Sequence, residues 1–492
     1  MIYADYLPKM GAKGWLFDSQ QFVWTLLLMQ QEPFMLMMRP DTAGLWYNGR
    51  RTRYPLGKRR RTMSIGYACL TLGVRGTDLG TCMIRNADEA RLNALITANL
   101  EALEKMISYN MDKGIRVFRI SSDIIPFASS PVNKIPWTQT FGERLACIGH
   151  RIRQSGMRVS MHPGQYTVLN SPNELTAQNA VRDLAYHAAF LDSLQVDKTH
   201  KIILHIGGAY GDRPSAVLRF AQRYQALSDA VKARLVIEND DRIYNIREVL
   251  DIGLGNRIPV VFDNLHHQTN PPDETAADAA WITACAQTWA SDDGRQKIHY
   301  SQADPRRKRG AHSLSIEIDE FLRFYHQLQR PKPDIMLEVK DKNISAVKCL
   351  LCTAREGSIA ALEREWGRYK YLVLEHSQQT YSRIRELLKD KASFPALAFF
   401  RQVQAALALP AALGDALNAA AHVWGYFKDA ATARQKADIL KAMDGCGSGK
   451  VSIAALKRKL YALAEMYGAD YLLESYYFVG CYDGLPASAD EN

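Results

Sequence analysis

Residues 260–268 read VVFDNLHHQ. Three apolar residues run into Asp263, and two histidines, His266 and His267, begin three residues later. A short apolar run without alternation is the pattern of a strand buried on both faces. A carboxylate and imidazoles at the end of such a strand are costly to bury unless something uses them. The same pattern recurs. Imidazole or carboxylate ends or closely follows the runs MRVSMHPG (157–164), KIILHIGG (201–208), ARLVIEND (233–240), KIHYSQ (297–302) and DIMLEVK (334–340). Two further runs, SIGYACL (64–70) and IRVFRISS (115–122), complete a set of eight. Amphipathic helical stretches alternate with them at 87–113, 141–154, 174–194, near Pro214, at 246–250, 277–289, 316–328 and around 346–351. Strand–helix alternation repeated eight times predicts an α/β fold, a closed (β/α)8 TIM barrel.

The flanks read differently. Residues 1–62 lack clean periodicity and end in GRRTRYPLGKRRRT, with seven basic residues and no acid between Arg50 and Arg61. This basic extension reads as disordered: an arm for nucleic acid phosphates, or a tail preceding a start at Met63. Residues 63–355 form the barrel domain. Residues 356–480 carry only helical periodicity and predict an all-α C-terminal domain, with a small, acidic, disordered tail over 481–492. The whole chain has 492 residues, 47% hydrophobic and 23% charged, with net charge +10 and pI near 9.1. That balance suits a polyanionic partner. Eight scattered cysteines do not form a disulfide framework and favour a reducing cytoplasm. The most apolar early run, FVWTLLLM (22–29), is too short to span a bilayer and lacks the flanks of a signal peptide.

In a TIM barrel the active site lies at the C-terminal ends of the strands. His162, His205, Glu238, Asp263, His266, His299 and Glu338 all fall there, with His312 in the loop after the seventh strand. Closing the barrel makes them neighbours. Imidazole with carboxylate is the ligand set of Zn²⁺, Mn²⁺ or Fe²⁺. Eight ligands exceed the need of one ion, so two to three ions are expected. Glu238, on the central fifth strand, is the expected bridge. Such a centre in a basic protein points to phosphodiester cleavage, in which bound cations stabilise phosphate oxygens and activate water. PRRKRG (305–310), with Arg306, Arg307, Lys308 and Arg309, offers phosphate contacts beside it. Gln165 and Tyr166, close behind His162, could enter a duplex at a distorted step.

Two other motifs carry no chemistry. CLLC (349–352) has metal spacing but no second pair and falls on a helix. GCGSGKVS (445–452) has misplaced glycines for a phosphate loop and no preceding strand, so it reads as a linker between helices.

The stretches GYACLTLG, FRISSDIIPFAS, RVSMHPGQYTVLNSP, ILHIGGAYGD, LVIENDDR, VVFDNLHHQ, KIHYSQ and LEVKDK, spread over residues 64–345, together resemble the ATP-independent UV damage endonucleases, relatives of endonuclease IV. The resemblance implies a metal-dependent barrel that nicks double-stranded DNA immediately 5′ to cyclobutane pyrimidine dimers and 6-4 photoproducts, with tolerance of abasic sites. It implies the eight ligands named above, Mn²⁺ as the favoured ion with Zn²⁺, Co²⁺ or Mg²⁺ as alternatives, and Tyr67, Gln165 and Tyr166 as lesion sensors. Lys297 matches a lysine of the seventh strand that is modified or contacts phosphate, giving it a catalytic role beside Glu238. One departure is clear: ASSP (128–131) puts Ser130 where the family pattern has histidine. The helical part resembles YbgA-type domains. A monomeric cytoplasmic repair enzyme without membrane attachment is the expectation. A general abasic-site nuclease, a sugar isomerase of the xylose isomerase type and a non-catalytic DNA-binding scaffold are the rivals. The isomerase fits worse, since its metal site is mostly carboxylate and its substrate needs no basic loop.

Overall fold

The computed structural model describes residues 63–480; the basic segment 1–62 and the tail 481–492 lie outside the described residues. Eight strands, β1 (Ile65–Ala68), β2 (Val117–Arg119), β3 (Arg158–Met161), β4 (Lys201–His205), β5 (Leu235–Glu238), β6 (Val260–Asp263), β7 (Lys297–Tyr300) and β8 (Asp334–Leu337), pair in parallel and in sequence order. β8 closes on β1 through Ile65 opposite Ile335 and Tyr67 opposite Leu337.

The helices between the strands are α1 (Glu89–Lys113), α2 (Trp137–Thr140), α3 (Gly142–Ser155), α4 (Glu174–Ser193), α5 (Arg213–Ala226), α6 (Asp229–Lys232), α7 (Ile246–Asn256), α8 (Asn264–Thr269), α9 (Asp278–Ala286), α10 (Ile318–Gln327) and α11 (Asn343–Thr353). Local chemistry sets their ends. Asp88 caps α1 by accepting from the Arg91 amide, and Gly114 stops it at φ 72°. Asn245 and Glu248 form a capping box on α7, which runs to Asn256, well past the short helix expected at 246–250.

Side-chain alternation divides every strand. Tyr67, Phe118, Val159, Ile202, Leu204, Leu235, Ile237, Phe262, Ile298, Tyr300 and Leu337 join the large core between strands and helices. The opposite parity points into the barrel. Small separate clusters of Ala68, Val117 and Met336, and of Ile203, Val236 and Val261, lie on this inner side. Arg119, Glu238, Asp263 and His299 share that parity, as does Lys297.

α12 (Ile359–His376), α13 (Gln378–Leu387), α14 (Ala396–Leu407), α15 (Leu413–Trp424), α16 (Ala433–Gly447), α17 (Ile453–Met466) and α18 (Asp470–Leu473) build the helical part. The stretch 445–452 is the α16–α17 connection, with Ser452 capping α17. These helices have a core of their own and also a seam with the barrel. Ile344, Leu351, Cys352 and Leu72 pack with Leu362, Tyr369, Phe399 and Phe400. Polar contacts lock the seam: Lys113 to Glu365 at 2.9 Å, with Glu365 held in turn by Tyr476 Oη at 3.1 Å, and Arg401 to Asp319. The boundary near residue 355 is thus a chain connection between α11 and α12, with continuous packing across it.

Candidate metal centre

β6 ends in Asp263, and the opening stretch resolves into a strand followed at once by the one-and-a-half turns of α8. The Asp263 carboxylate caps α8 by accepting from the His266 amide at 2.8 Å, which holds it at the barrel mouth. Glu238 ends β5 beside it and is 1% exposed. Its Oε1 lies 2.7 Å from His299 Nδ1 and 3.6 Å from His266 Nδ1. Its Oε2 lies 3.2 Å from His162 Nε2 and 3.9 Å from His205 Nε2. Glu338 continues β8, its Oε1 3.0 Å from His299 Nδ1.

Two ligand groups result. His162, His205 and Glu238 form one; Glu238, Asp263, His299 and Glu338 form the other, and within each the donor atoms lie within 4.8 Å of one another. Glu238 belongs to both. His205 Nδ1 and Asp263 Oδ2 are buried and make no hydrogen bond. His205 turns its other nitrogen, Nε2, toward Glu238, and a carboxylate oxygen left without a donor within such a cluster of imidazole and carboxylate fits divalent cations. His162 is oriented for the purpose, because Nδ1 donates to the Pro163 carbonyl at 3.0 Å and leaves Nε2 facing Glu238.

The electrostatics are those of a charged pocket in a dry wall. Burial opposes the charge on Glu238, yet His299, His162 and His205 hold its carboxyl well below the usual range. Burial likewise opposes the charge on Glu338, and Arg119 and His299 overcome it, holding its carboxyl low. Burial works against the His266 imidazolium, but Asp263, Glu238 and Glu338 push its pKa up to about 9. Burial lowers that of His205.

Residues 63–359 match the family model described as UV-endonuclease UvdE. The chain belongs to the UV-endonuclease UvdE family. Over 336 residues it is 40% identical to a UV DNA damage endonuclease of Clostridium perfringens, covering 68% of this chain and 81% of that one. Over 299 residues it is 36% identical to a UV-damage endonuclease of Schizosaccharomyces pombe, covering 56% and 48%. The crystal structure of SacUVDE superposes with a TM-score of 0.56 at 35% identity, covering 58% of this chain and 96% of that one. Residues 370–480 match a family described only as a protein of unknown function.

The remaining expected residues of the UvdE barrel fall in different places. Gln165 and Tyr166 stand in the loop after β3; both are exposed, Tyr166 at 66%. His312 lies outside both tight ligand groups. It pairs with Ala303 in an isolated antiparallel bridge, so it forms the base of a hairpin whose tip carries Arg306, Arg307, Lys308 and Arg309. Asp304 anchors that tip by pairing with Arg306 and Arg307. The tip and Leu265, Gln268 and Thr269 of α8 line one groove. Ser130 lies apart from the ligands, in a shallow groove with Ala128, Ser129, Pro131 and Arg182.

Two of the expected residues are buried. Tyr67 has the outward parity of β1, is fully buried, and bonds Thr71 at 2.6 Å and Asn110 of α1 at 2.9 Å. Lys297 opens β7 two residues below His299. It is 1% exposed, and its Nζ makes no hydrogen bond. Burial and the nearby Arg158 and Arg119 push its pKa well below the usual lysine range.

Arg119 went unnoticed in the sequence. Its guanidinium pairs with Glu338 and reaches His299 at 3.2 Å. An arginine of inward parity in a strand buried on both faces is the signal that points to it.

Proposed function

We propose that this protein is a metal-dependent endonuclease that nicks UV-damaged double-stranded DNA immediately 5′ to photoproducts, with abasic sites as further substrates. Membership of the UvdE family supports the action on UV-damaged DNA. The two ligand groups joined by Glu238 carry the rest of the reading. Two to three divalent ions, Mn²⁺ first among them, suit this donor set, with His162, His205, Glu238, Asp263, His266, His299, His312 and Glu338 as candidate holders. Bound there, such ions supply Lewis acidity toward phosphate oxygens and a water of lowered pKa.

The chain's own residues do the rest. Glu238 keeps its charge despite burial and fixes the spacing of the two groups. His162 presents Nε2 because Pro163 takes its other nitrogen. The basic hairpin tip contacts phosphates and sets register, while Gln165 and Tyr166 enter the duplex where stacking is already weakened. The test uses metal-loaded protein on supercoiled plasmid with and without UV, then a defined dimer-containing duplex to map the cut. Nicking confined to irradiated plasmid, with a 5′ cut and loss on chelation, is expected. Equal nicking of unirradiated abasic plasmid would favour the general abasic-site nuclease.

A further inference from the structure

Beneath the exposed tip of the β3 loop lies a buried hydrogen-bond array that the reaction chemistry does not use. Asp183 and His187 stand one turn apart on α4 and are both buried. Asp183 Oδ2 accepts from the Thr167 hydroxyl at 2.6 Å. His187 Nδ1 donates to the Asp183 carbonyl at 2.7 Å, which turns Nε2 toward Ser122 Oγ at 2.9 Å. The same Ser122 hydroxyl lies 2.6 Å from the carbonyl of His162. The one proton of the Ser122 hydroxyl goes to the His162 carbonyl, so the hydrogen bond from α4 to this segment is the one that Tyr186 Oη donates to the Ser122 carbonyl at 2.8 Å, with His187 Nε2 in contact beside it.

The two contacts on the β3 loop are its two ends. His162 and Thr167 bracket Pro163, Gly164, Gln165 and Tyr166. One end is tied to α4 directly and the other through Ser122. Inside the bracket the Thr167 amide donates to Gly164 at 2.9 Å and the Val168 amide to Tyr166 at 3.0 Å.

We infer that Ser122, His187, Asp183 and Thr167 are positioning residues, a two-point clamp that holds the β3 loop so that Gln165 and Tyr166 project rigidly while His162 keeps its place at the metal centre. The physical case rests on cost and geometry. A buried carboxylate that loses a hydroxyl donor is left unsatisfied, so the clamp is released sharply. A wedge that enters DNA must not fold back, and the side-chain ties at the two ends of this four-residue loop fix the frame within which its internal hydrogen bonds form. The role in damage selection rests on the proposed function of Gln165 and Tyr166; the role in holding the loop does not.

The experiment compares Thr167→Val, Thr167→Ser and Ser122→Ala in the full chain. Valine keeps the shape and deletes the hydroxyl; serine keeps the hydroxyl. Backbone hydrogen exchange over residues 162–168 is the first readout, and the ratio of kcat/KM on dimer-containing and undamaged duplex is the second. Thr167→Val and Ser122→Ala should speed exchange in the loop about tenfold and cut the ratio about tenfold, with a small fall in melting temperature from the unsatisfied buried acceptor. Thr167→Ser should restore both. Unchanged exchange in Thr167→Val overturns the clamp whatever the loop does to DNA. Equal damage by valine and serine, with a fall in melting temperature, also overturns it, because packing would then be the cause. Gln165→Ala with Tyr166→Ala is run alongside. If that pair keeps full discrimination, the damage-sensing reading falls while exchange still decides the clamp.

Discussion

Replacing Glu238 with glutamine is the most demanding test of the centre. The change is isosteric and removes one charge. Glu238 is shared, so the three-residue group falls to His162 and His205, and the four-residue group falls to Asp263, His299 and Glu338. Neither remainder spans the gap between the two. Glu338→Gln touches the second group alone. The variants should therefore differ in kind: Glu238→Gln should lose cations from both positions, and Glu338→Gln from one. Several kcal/mol of transition-state stabilisation depend on bound cations, and each 1.4 kcal/mol is a factor of ten in rate, so nicking by Glu238→Gln should fall by about 10³ or more. The folded barrel should survive, because glutamine still fills the volume and can donate to or accept from the imidazoles at 2.7 and 3.2 Å. Elemental analysis after dialysis, circular dichroism and nicking of irradiated plasmid measure the three quantities. If Glu238→Gln keeps both cations and nicks within tenfold of the parent, the bridge lies elsewhere and the reading of the centre is wrong.

Neutralising Arg306, Arg307, Lys308 and Arg309 together should weaken binding to damaged and undamaged duplex alike, and a salt series should show a slope reduced by about 0.9 per lost phosphate contact. A fragment of residues 63–480 should melt with the full chain, whereas 63–355 should melt far lower, because cutting there exposes Leu72, Ile344 and Leu351 and strips Lys113 of Glu365; a melting temperature within about 2 °C of the full chain would contradict the seam. His200 is buried, accepts from the Val159 amide at 3.0 Å, and burial lowers its pKa to about 3. The unfolded chain binds that proton first, so stability is complete above about pH 6.5 and falls below it by about 1.4 kcal/mol per pH unit; His200→Asn, which keeps an acceptor but does not titrate, should flatten denaturant midpoints across that window.

Much of the site was legible because a strand has a period of two and a barrel has one functional end. Glu238, Asp263 and His299 sit at strand ends of inward parity, and sequence position alone puts them there. Parity itself was the obscure quantity. SIGYACL has no polar alternation, so nothing local says whether Gly66 and Ala68 or Tyr67 face the barrel axis; the pairing with β2 and β8 decides it. Lys297 shares the inward parity two residues before His299, about 6.6 Å along the strand at 3.3 Å per residue, a depth that the sequence alone does not reveal. Arg119 stands out as an arginine within a buried strand, but its partner Glu338, 219 residues later, is brought beside it only by closure of the barrel. The α4 clamp is equally hidden, since Ser122, Thr167, Asp183 and His187 are unremarkable residue types that acquire meaning through contacts between three separate elements. The α8 helix was hidden by its brevity, although Asp263 followed three residues later by His266 is a capping arrangement.

Charge along the barrel axis leads to a final prediction. Below the centre the wall carries buried Arg158, Lys201 and Lys297, with Asp334 pairing Arg158 and Asp293 pairing Lys201. At the mouth stand the three carboxylates Glu238, Asp263 and Glu338, with Arg119 as the one fixed cation on Glu338. The three carboxylates, Arg119 and His266, whose pKa of about 9 keeps it charged at neutral pH, sum to −1, which repels a phosphodiester. Two divalent cations, whose binding displaces the His266 proton, change the sum to +2. The mouth therefore switches from repelling to attracting DNA when it is filled, and the interaction acts through low-dielectric walls where it is screened weakly. Affinity for a cleavage-resistant duplex, with a phosphorothioate at the scissile position, should thus fall by about tenfold or more on chelation, independently of any turnover. The fall should be smaller in Glu238→Gln, whose empty mouth carries one negative charge fewer. Equal affinity with and without chelator would mean that the hairpin tip and the β3 loop hold DNA alone, and that the centre contributes nothing to binding.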